Sequence, residues 1–142
     1  MNLLRYSQGS EWTVYLYCQS ETTCQILDTL LTCGDTGARM LADLQKVATR
    51  PRVSLERDCE FSKTIAGTRL LEFRLTTSRG PTPRVSYFFD QNRVIICALA
   101  LLKKRDGLPP RFVKESEEIR KRYFDAGGLK NAVIEIYRDA ED

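Results

Sequence analysis

Histidine is missing from all 142 residues, and that single absence removes a good deal of chemistry. Without imidazole there is no general base of the kind most used near neutral pH, and no Ser/His/Asp or Cys/His pairing for nucleophilic catalysis. Metal centres are short of ligands for the same reason. The five cysteines (Cys18, Cys24, Cys33, Cys59, Cys97) contain no CxxC spacing, and tetrahedral sites want clustered Cys or His. Their odd number and scattered positions argue against a disulfide framework and for reduced thiols. Long apolar runs are lacking too. The longest, Val94 to Leu102, has nine residues, against the roughly 18 needed to cross a membrane. The start, Met1-Asn2-Leu3-Leu4-Arg5, lacks the basic opening and apolar stretch of a secretory signal. Gly67 has no phosphate-loop spacing around it. A soluble, cytoplasmic protein with no metal, no cofactor and no membrane partner is expected.

What is present is ordinary globular composition. Hydrophobic residues at 42% and charged residues at 29% exclude wholesale disorder, and the length suits one domain over 1–142 with one core. The net charge of +3 is unevenly spread. Arg69 to Tyr123 holds 13 basic and 6 acidic residues, whereas the rest of the chain holds 9 basic and 13 acidic. A basic segment inside a mildly acidic chain suits an anionic partner, of which nucleic acid is the commonest. The competing reading is a solvated surface that happens to be rich in arginine.

Glu11 to Tyr17 is rich in aromatic and β-branched residues, with Trp12, Val14 and Leu16 in phase, and predicts a strand. Ile26, Leu27, Leu30 and Leu31, then Met40, Leu41, Leu44 and Val47, fall at helical spacing and predict an αα-hairpin. Thr49 to Ser54, with Pro51, reads as a surface loop. Arg69 to Thr76 and Arg84 to Asp90 alternate as strands, joined by a turn through Ser78-Arg79-Gly80-Pro81. Gln91-Asn92 turns into Arg93 to Leu101, which from Val94 is apolar on both faces, as in a strand at the middle of a sheet. Pro109 and Pro110 open a helix to about Asp125, with Phe112, Ile119 and Tyr123 facing inward. Asn131 to Tyr137 alternates weakly, in the manner of a short edge strand.

Arg74 and Arg84 sit in adjacent antiparallel strands, out of phase with the strongest apolar positions, and should share a sheet face. Lys103, Lys104 and Arg105 follow where the apolar strand emerges. Such cations can grip successive phosphates. They can also stabilise the charge that builds up when an RNA 2′-hydroxyl attacks its own phosphate, a reaction that needs no histidine. The plainer reading is that they are edge arginines keeping a sheet soluble. Tyr87 and Tyr123 read as packing residues, and Glu115, Glu117 and Glu118 as the solvated side of the last helix.

The ordered set Gly67 to Arg74, Arg84-Val85-Ser86-Tyr87-Phe88-Phe89-Asp90, Val94 to Leu102, Lys103-Lys104, Pro109 and Glu115 to Tyr123 resembles the RelE/ParE superfamily of bacterial toxins. It is nearest to the phage-derived, host-killing HigB branch, and the likeness is strongest over 60–124. The resemblance implies an α+β fold: a twisted, mainly antiparallel sheet of 4–5 strands packed against the N-terminal helical hairpin, plus a C-terminal helix. It implies a toxin of a type II toxin-antitoxin system, a ribosome-dependent, metal-independent mRNA endonuclease that inhibits translation and is restrained by a helix-turn-helix antitoxin. On that reading Arg74, Arg84 and Lys104 are catalytic, and Arg69, Arg79, Lys103 and Arg105 bind RNA. Tyr123 is the candidate for proton transfer, because Phe112 stands where the family often has a tyrosine or histidine. The same resemblance also allows a ParE-like inhibitor of DNA gyrase, or a phage-derived binding module without catalysis.

Overall fold

The computed structural model describes residues 1–56, 61–75, 81–103 and 107–138. Twelve elements follow one another: β1 (Asn2–Gln8), β2 (Thr13–Cys18), α1 (Gln25–Leu31), α2 (Gly34–Val47), α3 (Arg52–Glu56), β3 (Ser62–Thr64), β4 (Leu71–Arg74), β5 (Thr82–Asp90), β6 (Val94–Lys103), α4 (Pro110–Asp125), a 3-10 turn (Gly128–Asn131) and β7 (Val133–Ile136). No helix among the described residues is long and apolar enough to cross a membrane.

The strands form one seven-stranded sheet in the order β3-β4-β5-β6-β2-β1-β7. This corrects the expected architecture of 4–5 mainly antiparallel strands on a helical hairpin. The sheet is mixed: β2 runs parallel to β6, and β7 parallel to β1. Helices cover both faces. Strand parity sends Val14, Leu16, Phe73, Val85, Tyr87, Ile95 and Cys97 into a core with Ile26 and Leu30 of α1, Met40 and Leu44 of α2, and Leu55 of α3. It sends Tyr15, Tyr17, Phe88, Ile96 and Ala98 to the other face, against Phe112, Ile119 and Tyr123 of α4. β6 lies in the middle of the sheet, and Val94 to Ala100 are all buried. That explains its unbroken apolar sequence. Each of its fully buried aliphatic side chains is worth roughly 1.5–3 kcal/mol over the exposed state.

Three local features fix the frame. Gly37 lies where α2 crosses the end of α1: a Cβ there would fall 1.8 Å from the Leu30 carbonyl oxygen, so no other residue permits this approach. The β5–β6 turn carries two left-handed residues, Asn92 (φ 63°) and Arg93 (φ 61°). The Asp90 carboxylate accepts from the Gln91 amide at 2.7 Å and from the Tyr123 hydroxyl at 2.5 Å, tying that turn to the C-terminal end of α4. On the other face, Tyr87 is fully buried and stacks on Phe73 with ring centroids 3.7 Å apart. Its hydroxyl lies 2.5 Å from Ser62 Oγ. The stretch expected as a loop over Thr49 to Ser54 gives way at Arg52 to α3, whose entry is set by Pro51, a residue suited to the start of a helix.

Candidate nucleic-acid interface

The cationic surface is built by strand register. Arg74 of β4 is directly opposite Arg84 of β5, and Arg84 is opposite Leu101 of β6. One step along, Lys63, Glu72, Ser86 and Leu99 form a second row across β3, β4, β5 and β6. Paired residues share a face, and this face looks toward α4, because Ser86 Oγ lies 2.7 Å from Ser116 Oγ of that helix. Lys103 pairs with Thr82 and belongs to the same face.

α4 leans over these rows and leaves a cavity of about 740 Å³. On the strand side it is lined by Lys63, Glu72, Arg74 and Arg84, and on the helix side by Pro110, Val113, Lys114 and Glu117. The helical positions fall at i, i+3, i+4 and i+7, one flank of a single helix. Inside, Arg84 Nη1 lies 2.6 Å from Glu72 Oε1, with side-chain exposures of 11% and 7%. Arg84 Nε also donates toward Thr82 Oγ1 at 3.4 Å. The pair runs diagonally between adjacent strands, a reach open to long side chains. Among the described residues, four cations and two carboxylates line the cavity, and Glu72 and Arg84 form a tight ion pair within it.

The sequence-predicted residues do not all come together. Arg74 and Arg84 meet in this cavity, and Lys103 shares their face without lining it. Arg69 lines an adjoining cavity of about 730 Å³. Arg79, Lys104 and Arg105 lie outside the described residues. Tyr123, the candidate for proton transfer, is buried, is not among the residues lining this cavity, and donates its hydroxyl to Asp90. Burial, then the Asp90 carboxylate, push its phenol above the ordinary value. Phe112 is buried in the core under α4.

Sequence reasoning missed Glu72, Lys114 and Glu117 as parts of a site, whereas Lys63 is open to reading as an extension of the patch and β3 gives it a place there. For Lys114 and Glu117 a usable clue was present, since both lie on the flank that begins at Pro110. Glu72 shares Arg74's phase, but only the fold shows that its carboxylate crosses to Arg84.

A second chemical feature lies on the opposite face. Cys24, at the cap of α1, has its thiol lowered to about 7, first by a hydrogen bond from the Cys18 thiol, with burial opposing. Cys18 is raised by the same contact and by burial. Cys97 is raised by complete burial. No protein-family model matches the chain, and no curated protein matches it.

Proposed function

We propose that this chain cuts messenger RNA as a toxin of the RelE/HigB kind, acting in the cytoplasm on the translating ribosome and held in check by a helix-turn-helix antitoxin. The kinship rests on the ordered residues of 60–124 and not on the sheet as a whole. One observation carries the chemistry: the Glu72–Arg84 pair sits inside a cavity that also presents Arg74, Lys63 and Lys114.

A carboxylate held against a guanidinium supplies both halves of an in-line attack without imidazole. Glu72 takes the proton of the ribose 2′-hydroxyl. The O2′ then bonds to the adjacent phosphorus as the P–O5′ bond breaks, leaving a 2′,3′-cyclic phosphate and a free 5′-oxygen. Arg84 and Arg74 stabilise the added charge on the phosphoryl oxygens. Lys63 or Lys114 returns a proton to the leaving oxygen. A second reading, an RNA binder that does not cut, is favoured by the same ion pair, because a guanidinium already neutralised by Glu72 has less charge to lend to a phosphate.

Induced expression followed by mapping of mRNA 5′ ends, with and without translation, separates the two. Cleavage requires new 5′ ends that appear only while ribosomes translate, that vanish with Glu72→Gln, and that fall strongly with Arg74→Ala. Retained RNA binding by purified, folded Glu72→Gln shows that the loss is chemical. Growth arrest with intact mRNA and an SOS response would replace this reading with a ParE-like attack on gyrase. RNA binding with neither arrest nor cutting would leave only the binder.

A further inference from the structure

The second cavity continues the first along α4, since Lys114 and Glu117 line both. Its far end differs in kind. Phe124 leaves 39% of its surface exposed on a helix whose neighbouring Tyr123 is buried. The ring is braced from within by Tyr123 and Phe88, at centroid distances of 5.0 and 5.7 Å. The Arg120 guanidinium carbon sits over it, 4.9 Å from the centroid and 5.9 Å from that of Phe88. An exposed, braced aromatic ring with a guanidinium on its face is a stacking platform for a flat partner. Around it the cavity places Arg69, Lys114 and Lys121 as phosphate-gripping cations. It also places Glu117, Glu118 and Asp125, carboxylates that accept hydrogen bonds but repel anions; Asp125 is tied to Lys121 at 2.8 Å.

Building on the RNA reading above, we infer that this cavity is a stacking subsite for an unpaired nucleotide lying further along the strand from the phosphate held in the first cavity, beyond its immediate neighbours. The base lies on the Phe124–Arg120 platform, and its backbone runs past Arg69 and Lys114. An acidic peptide matches the cations but offers no flat ring to the platform. An apolar surface matches Phe124 but not the charges. A nucleotide supplies both. The carboxylates add a preference: glutamate and aspartate accept from exocyclic amino groups, so adenine, guanine and cytosine suit the pocket better than uracil. Lys114 and Phe124 are ten residues apart on one helix, about 15 Å along its axis, so a dinucleotide in the first cavity cannot reach the platform and a longer strand can.

The test is binding of labelled RNA by the full-length protein, measured by fluorescence anisotropy. Phe124→Ala should weaken an oligoadenosine decanucleotide about tenfold, within the range for loss of one base–aromatic stack. It should leave the dinucleotide unchanged. Arg120→Ala should behave alike, Phe124→Trp should retain affinity with its emission quenched on binding, and oligouridine should bind more weakly than oligoadenosine. If Phe124→Ala binds both RNAs as the parent does while Lys114→Ala loses them, the subsite is wrong and the first cavity stands. Equal weakening of dinucleotide and decanucleotide by Phe124→Ala also overturns a separate subsite. If the parent binds neither RNA, both readings fail together.

Discussion

Removing either partner of the Glu72–Arg84 pair strands the other in a place that water reaches poorly. With exposures of 11% and 7%, neither charge can be written off as a screened surface group. Breaking a buried pair from one side costs about 3–5 kcal/mol, because the orphaned charge keeps its desolvation penalty. The adjoining cavity admits water, which places Glu72→Gln and Arg84→Met near the lower end, about 3 kcal/mol each. For a chain of this length that is a fall in Tm of roughly 12 °C. The double variant carries no stranded charge, so its loss should be well below the sum of the singles, with a coupling of about 2 kcal/mol or more. Guanidinium unfolding followed by circular dichroism, across all four proteins, measures the cycle. Single losses under about 1 kcal/mol that simply add would describe an ordinary solvent-screened pair. The claim that the cavity holds a preorganised base and guanidinium would then fall with it.

Two further outcomes follow from other parts of the fold. Alkylation of Cys24 by iodoacetamide should rise with pH through a midpoint near 7, because the thiolate is the reactive form; Cys18→Ala removes the stabilising hydrogen bond and should move the midpoint up toward 9.0, and peptide mass spectrometry reads the rate site by site. Tyr123 has a phenol raised in the folded state above its unfolded value of about 10, so its contribution is intact below pH 10 and drains away as pH climbs beyond it. Tyr123→Phe should therefore lose some stability at pH 8, yet lose less than the parent between pH 9 and 11 in denaturant titrations.

The parts of this fold that were legible in the sequence are those whose side chains carry a burial pattern. β6 announced itself because both of its faces are covered, and α4 because Phe112, Ser116, Ile119 and Tyr123 recur along one inner stripe. Tyr87 shared its phase with Val85 and is fully buried. The missing elements are held by backbone hydrogen bonds that leave little trace in side-chain order. β1 breaks its alternation at an irregularity between Arg5 and Ser7. β3 is three residues long and carries Lys63 at its centre. The edge strand expected over Asn131 to Tyr137 is found as β7, at the sheet margin beside β1, although all four of its residues are exposed and its weak alternation separates no inner face from an outer one. The site divides in the same way. Alternation was enough to bring Arg74 and Arg84 to one face. The identity of their neighbours depended on where α4 crosses and on how a glutamate side chain turns.

The Arg74–Arg84 juxtaposition itself bears on whether this face is a site or a solubilising surface. Like charges directly opposite on adjacent strands are destabilising, and a sheet that needed only solubility would do better with mixed signs or with lysines spread along its edge. Here two arginines occupy one cross-strand pair; a carboxylate one row away satisfies Arg84 from the side, and Arg74 makes an interaction of its own. Glu72 thus offsets the crowding of positive charge from the Arg84 side. Under the proposed function this row is where two guanidiniums would close on a single phosphate. The like-charge pair lies in the row that α4 overhangs and lines the cavity there, a placement that an arginine kept only for solubility does not need.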